Sequence, residues 1–309
     1  MKVVIAGGSG YIGRHLAARL RAEQHQVVIL SRAAQAAPGA VAGTAAGARS
    51  AVWDASTASG SWVSELNGAD AVVNLAGTSI GARWTRKNMA AILGSRLAAT
   101  GALVSAIRKL DRRPAVLVSA SGIDFYGNRG DELVDENSAA GDSFLADVCR
   151  QWETAAEAAS PLGVRVVRIR TSMVFGRGAP AFGLLTLPFR LFAGGPLGNG
   201  RQWFTWIHVD DLVALYRRSL GDSTLSGPIN AVAPDLRRQR DVAAEIGRVM
   251  HRPALLPAPA PMLRLALGRQ SELLLHGRRA VPTVAQAHGF DFMYGTLPVA
   301  LQQALKPTT

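Results

Sequence analysis

Short apolar runs alternate with longer stretches of helical spacing through the first half of the chain. Residues 3–6, 26–31 (QVVILS), 71–75 (AVVNL), 115–119 (AVLVS) and 164–169 read as strands, and 51–53 as a shorter one. Between them, residues 13–23, 87–109 and 142–159 carry apolar positions at helical spacing, the last capped by Asp142 or Ser143. Residues 33–49 are rich in Ala and Gly without a period and read as a loop. This alternation predicts an α/β fold, a doubly wound parallel sheet with helices on both faces. After residue 175 the pattern loosens. Residues 176–200 hold Gly and Pro around an apolar segment at 184–192. Residues 228–232 read as a late strand, 238–250 as a helix, and 253–261 as Pro-Ala punctuation before a small terminal element. The expected division is a core over 1–175, its sheet completed by parts of 200–235, and a smaller capping part mainly over 176–309.

The chain has 309 residues, 48% hydrophobic and 18% charged, the balance of a globular protein. No window approaches the roughly 20 unbroken apolar residues that span a bilayer, so no membrane association is expected. The apolar start of the chain is broken at Gly7 and Gly8 and reads as a strand rather than a leader. The single cysteine, Cys149, allows no internal disulfide and points to a reducing, cytoplasmic setting. The net charge of +12 is almost all arginine, with lysine only at 2, 87, 109 and 306. The arginines are scattered without a basic tract, which argues against nucleic acid and for a small-molecule partner. The six histidines show no metal-ligand spacing, so no metal is expected.

The sharpest motif follows the first strand. GGSGYIG places Gly7, Gly10 and Gly13, with Tyr11 and Ile12 between them, where a strand turns into a helix. Such a turn must be tight, bring backbone close to a pyrophosphate and let the helix pack on the strand; the helix start then offers N–H groups to phosphate. This is the opening of a Rossmann-like dinucleotide site. The residue ending the second strand selects the cofactor. Here Ser31 and Arg32 stand where an acid would bind the NAD ribose, and arginine suits a 2′-phosphate, so NADP(H) is expected over NAD(H). Asp54, past the third strand, either contacts adenine or forms a turn.

At this point the sequence resembles the extended and atypical branches of the short-chain dehydrogenase/reductase superfamily. GGSGYIG, NLAG at 74–77, VSASGIDFYG at 118–127 and WIHVDDL at 206–212 carry the likeness. The epimerase/dehydratase-like members with a small C-terminal domain of unknown function add Arg83-Trp84, NRGDE at 128–132, FLADVCRQWE at 144–153 and GGPLGNGRQW at 194–203. The resemblance implies a Rossmann-like core with Leu75, Ala76 and Gly77 against the cofactor, and a C-terminal part over the substrate.

The superfamily's Tyr-x-x-x-Lys pair is missing. Phe144 and Leu145 stand near the tyrosine position, Val148 and Cys149 near the lysine. Ser119 and Ser121 occupy the serine region, where they touch substrate or nicotinamide ribose or merely end a strand. Tyr126 is the remaining candidate for proton donation, or else lines the pocket. Cys149 reads as a buried hydrophobe, Asp147 and Glu153 face different ways on their helix, and His208 precedes a helix capped by Asp210 or Asp211. Arg83, Trp84, Arg201 and Trp203 either converge on a substrate or form a packing seam. Two functions follow: an NADP(H)-dependent oxidoreductase or epimerase-like enzyme on an unknown, sugar-nucleotide-like substrate, or a non-catalytic NADP(H) sensor. A purely structural glycine loop is the weaker third.

Overall fold

The computed structural model describes residues 1–32 and 49–306, so the loop expected at 33–49 lies almost wholly outside the described residues. β1 (Lys2–Ala6) leads through α1 (Tyr11–Ala22) to β2 (Gln26–Ser31) and β3 (Arg49–Val52). The short α2 (Trp62–Leu66) precedes β4 (Ala71–Asn74), and the long α3 (Arg86–Arg108) precedes β5 (Val116–Gly122). A 3₁₀ turn (Ile123–Tyr126), β6 (Leu133–Val134) and α4 (Phe144–Glu157) lead to β7 (Arg165–Thr171). Then come β8 (Met173–Phe175), α5 (Pro180–Arg190), β9 (Trp203–Phe204), β10 (Trp206–His208), α6 (Val209–Gly221) and β11 (Gly227–Ala231). The chain closes with β12 (Arg237–Arg238), α7 (Gln239–Met250), α8 (Ala260–Leu267), α9 (Glu272–Leu275), β13 (Arg279–Ala280), α10 (Thr283–Ala287) and α11 (Leu297–Ala304).

Seven strands form one parallel sheet in the order β11-β7-β5-β4-β1-β2-β3. Period-two alternation sorts its residues. Val3 and Ile5 of β1 face Leu16 and Leu20 of α1 and Leu212 of α6, while Val4 and Ala6 face Trp62 of α2 and Leu103 and Ile107 of α3. Both faces are therefore covered, the Rossmann-like arrangement the alternation predicts. The strand order reverses beside β1, so a crevice opens past the ends of β1 and β4, the place where such sheets bind ligands.

α3 is long and apolar enough, by length and composition, to cross a membrane. Arg96 interrupts it, and Ile92, Ala99, Leu103, Ala106 and Ile107 are buried, making it a core helix. Two boundaries differ from the sequence reading in ways that matter. β5 runs to Gly122, three residues past the expected end, and so draws Ser121 as well as Ser119 into the sheet. The cap of α6 is His208 itself, whose Nδ1 accepts from the Asp210 N–H at 3.2 Å, rather than Asp210 or Asp211. Its Nε2–H is then left to donate to Gln303 Oε1 at 2.7 Å. Asp211 instead accepts the Met293 and Tyr294 N–H groups. For α4 the cap is Ser143, whose hydroxyl accepts from Ala146 N–H.

The C-terminal part packs beside the sheet. Phe175 stacks on Trp206 at 5.2 Å, and around them gather Phe182 and Phe189 of α5, Val242 and Ile246 of α7, and Leu297 and Leu301 of α11.

Candidate functional site

Gly7 has φ +78°, and a Cβ there would come within 2.7 Å of the Leu75 backbone, so the loop after β1 presses directly on the chain leaving β4. A Cβ at Gly13 would lie 2.6 Å from Gly7 O, so glycine is what lets α1 start this close to the turn. The Gly10 N–H donates to Gly7 O at 3.0 Å. No side chain caps α1 at Gly10, which leaves first-turn amides for a ligand or solvent. Tyr11 and Ile12 contribute backbone here. The Tyr11 hydroxyl donates to Arg177 O at 3.1 Å, its pKa pushed up to about 12, mainly by burial. Ile12 packs on the core.

Ser31 is half-buried at the end of β2 and Arg32 is exposed beyond it. Asp54 accepts from Ser56 N–H, Thr57 N–H and the Thr57 hydroxyl, which hold its carboxyl down at about 2. Of its two readings, the turn is the one its bonds describe.

On the other side of the crevice, buried Asn74 ends β4. Its amide donates to Thr100 Oγ1 at 2.9 Å and its oxygen accepts Ala76 N–H at 3.2 Å. Trp152 Nε1–H donates to the same Thr100 oxygen at 3.0 Å. α3 and α4 thereby fix the Leu75–Ala76–Gly77 segment, with the Arg96 side chain against Gly77.

The three catalytic candidates are all buried. Ser119 is 1% exposed and its hydroxyl donates to Ala120 O at 3.3 Å. Ser121 donates to Glu153 Oε1 at 2.7 Å. Tyr126 is fully buried, donating to Asn230 Oδ1 at 2.8 Å and accepting from Arg170 Nη1 at 2.7 Å, and burial pushes its phenol up to about 12. Arg170 in turn forks onto Glu153 at 2.8 and 2.9 Å and lies 3.5 Å from the centre of the Phe125 ring. These residues form an interior polar network, within which the Tyr126 hydroxyl makes both of its bonds. Cys149 is buried close to Gly122, its thiol pushed up to about 12 by burial, and is neutral.

The cleft over this edge of the sheet is lined by Trp84, Asp124, Asn128, Leu145, His276 and Arg278, among others. Asp124 and Arg278 form an ion pair at 2.6 Å across it. Asn128 Oδ1 accepts Gly277 N–H at 3.2 Å, so the core and the C-terminal part meet at this cleft. Trp84 contributes one wall, its edge on Phe144 at 5.3 Å and its Nε1–H on Ile80 O. Its neighbour Arg83 is exposed and does not line the cleft. Trp203 does not join Trp84. It donates to Asp131 Oδ1 at 2.7 Å, with the guanidiniums of Arg238 and Arg279 3.9 and 5.1 Å from its ring centre, and Arg201 O accepts from Arg238. For Arg201 and Trp203 the packing seam is the arrangement observed. Sequence reading passed over Asp124, Asn128, His276, Arg278 and Arg96. Asp124 had a signal, being the one charge in VSASGIDFYG, and so had Arg96, the one charge between Met89 and Ile107. Among the described residues no cluster of His, Cys, Asp and Glu could hold a metal ion.

A doubly wound sheet with a glycine-pinned crevice and a capping C-terminal part defines a dinucleotide-binding α/β protein. The model of the NAD dependent epimerase/dehydratase family matches residues 3–230, and the chain belongs to that family. A domain of unknown function (DUF1731) matches residues 258–304. The chain is 37% identical to the Arabidopsis thaliana "Epimerase family protein SDR39U1 homolog, chloroplastic" over 99% of its length and 87% of that protein. It is 36% identical to the Bacillus subtilis epimerase family protein YfhF over 99% and 98% of the two chains. The crystal structure of human epimerase family protein SDR39U1 (isoform 2) with NADPH superposes with a TM-score of 0.86 at 34% identity, covering 98% of this chain and 99% of that one.

Proposed function

We propose that this protein binds NADP(H) in the crevice between β1 and β4 and acts as an oxidoreductase or epimerase-like enzyme on a small polar substrate held under the C-terminal part. The observation that carries the reading is the Gly7–Leu75 backbone contact beneath the uncapped start of α1, a cradle that a Cβ would fill. Arg32 at the end of β2, with no acid between it and Asp54 in sequence, supports the 2′-phosphate form. The NADPH in the human relative's structure agrees with it.

Bound NADP(H) would supply the hydride chemistry. The chain's own part is to hold and orient. Tyr11 and Ile12 amides meet phosphate, Arg32 and Ser31 meet the 2′-phosphate, and Leu75, Ala76 and Gly77 form the opposite wall. Asp124, Asn128 and His276 face the substrate, with Asp124 fixed by Arg278. The carboxylate, amide, imidazole and guanidinium groups of the cleft beside Trp84 suit a small polar moiety such as a sugar. The second reading, a non-catalytic NADP(H) sensor, is favoured by Phe144 and Leu145 near the tyrosine position and Val148 and neutral Cys149 near the lysine position.

Titrating the purified protein with NADPH and NADH, followed by tryptophan fluorescence, tests the proposal. Tight NADPH and weak NADH binding is the expected result. Arg32→Ala should cost NADPH about tenfold, roughly 1.4 kcal/mol, and leave NADH unchanged. Absence of binding to either cofactor by folded protein removes the reading; equal losses for both in Arg32→Ala remove the 2′-phosphate assignment.

A further inference from the structure

The two arginines buried outright are met by carboxylates, as buried charges ordinarily are: Arg170 holds Glu153 and Arg278 holds Asp124. Arg96 is half-buried and holds none. Its Nη1 donates to Thr78 O and Ile92 O, each at 2.9 Å. Its guanidinium carbon lies 4.9 Å from the centre of the Trp152 ring, and a Cβ on Gly77 would come within 3.1 Å of it. Burial holds its pKa below the ordinary arginine value, and no carboxylate among the described residues counters that. The one ionisable neighbour acting on it is Cys149, and that thiol is neutral. Among the described residues no hydrogen bond uses its Nε or Nη2. A cation has thus been set into the crevice wall with one donor edge left over.

Its place in the sheet says which part of a dinucleotide that edge would meet. Arg32 and Ser31 end β2, on one side of β1. Arg96 stands at the exit of β4, on the other side, where β5 ends at Gly122 beside Cys149. With pyrophosphate at α1 and the adenosine half toward β2, the nicotinamide half lies over β4 and β5. Val148 and Cys149 also stand near where the resembled superfamily carries its lysine. Resting on the NADP(H) reading, we infer that Arg96 supplies from α3 the cation that α4 lacks, its free edge hydrogen-bonding the nicotinamide ribose hydroxyls.

Two probes separate this from neighbouring explanations. NADPH contains both halves; adenosine 2′,5′-bisphosphate keeps the 2′-phosphate adenosine half and has no nicotinamide ribose. Affinities of both are measured by tryptophan fluorescence for the unmodified protein, Arg96→Met and Arg96→Lys. Arg96→Met should weaken NADPH by about tenfold, the loss of a charge-assisted contact, and leave the bisphosphate unchanged, which also shows the variant folded. Arg96→Lys should recover part of the NADPH affinity. Unchanged NADPH affinity in Arg96→Met overturns the inference. So does a parallel loss of both probes, because that marks Arg96 as a prop for the Thr78 loop. An unmodified protein that binds neither probe overturns the cofactor reading itself, and this inference with it.

Discussion

Glu136 uses its two carboxylate oxygens unequally. Oε1 accepts the Asn230 and Val284 N–H groups at 3.0 and 3.2 Å, tying β11 and α10 to the core, whereas Oε2 is buried without a partner. Burial raises its pKa above the ordinary value of 4.5. A carboxyl raised in this way binds its proton more tightly folded than unfolded. Its contribution to stability is fully present below the unfolded pKa and is lost as pH rises through the folded one. Asp211, also raised by burial, adds a slope of the same sign. Glu136→Gln keeps the oxygen that accepts both N–H groups and removes the charge. Denaturant midpoints measured from about pH 4 to 8 should fall less steeply with pH in this variant, and at neutral pH should equal or exceed the unmodified protein's. A steeper fall, or a lower neutral midpoint, would show that the charge itself is needed.

At the scale of elements, α3 does more than cover the sheet. Thr100 is fully buried, and its one oxygen receives both the Asn74 amide and the Trp152 indole. Thr100→Val keeps the shape and strands two buried donors, at a cost of about 1–3 kcal/mol for each unsatisfied group; Thr100→Ser keeps the acceptor. Urea unfolding should place Val well below Ser. NADPH affinity should fall with it, because Asn74 holds Ala76. The sheet elements were legible because period-two and helical patterns are local: β2 falls at the expected residues, and β1, α1 and α3 lie close to theirs. β5 was read short because Ala120, Ser121 and Gly122 carry no apolar alternation. Two-residue pairings such as β9 with β12 and β6 with β13 are too short to carry any period.

For the molecule as a whole, the glycine loop was readable because all its parts sit within seven residues, whereas the cleft is assembled from afar. Asp124 and Arg278 are 154 positions apart, and no spacing rule connects them. The C-terminal part is equally bound to the core by packing: Leu297 and Leu301 of α11 cover the Phe175–Trp206 stack. Truncation before α8 would uncover that cluster. The shortened chain should aggregate or bind the dye ANS strongly; a soluble, cooperatively unfolding product would show that the core stands without its cap.

The unpaired guanidinium on α3 bears on any attempt to rebuild the superfamily's catalytic pair in this scaffold. Leu145→Tyr with Cys149→Lys would place a second cation within electrostatic reach of the first, and the two carboxylates that act on that position, Asp124 and Glu153, are already held by Arg278 and Arg170. The two would repel, and the newcomer would shed its proton or turn away. Installing the lysine is therefore an exchange rather than an addition: the charge has to leave one helix as it enters the other.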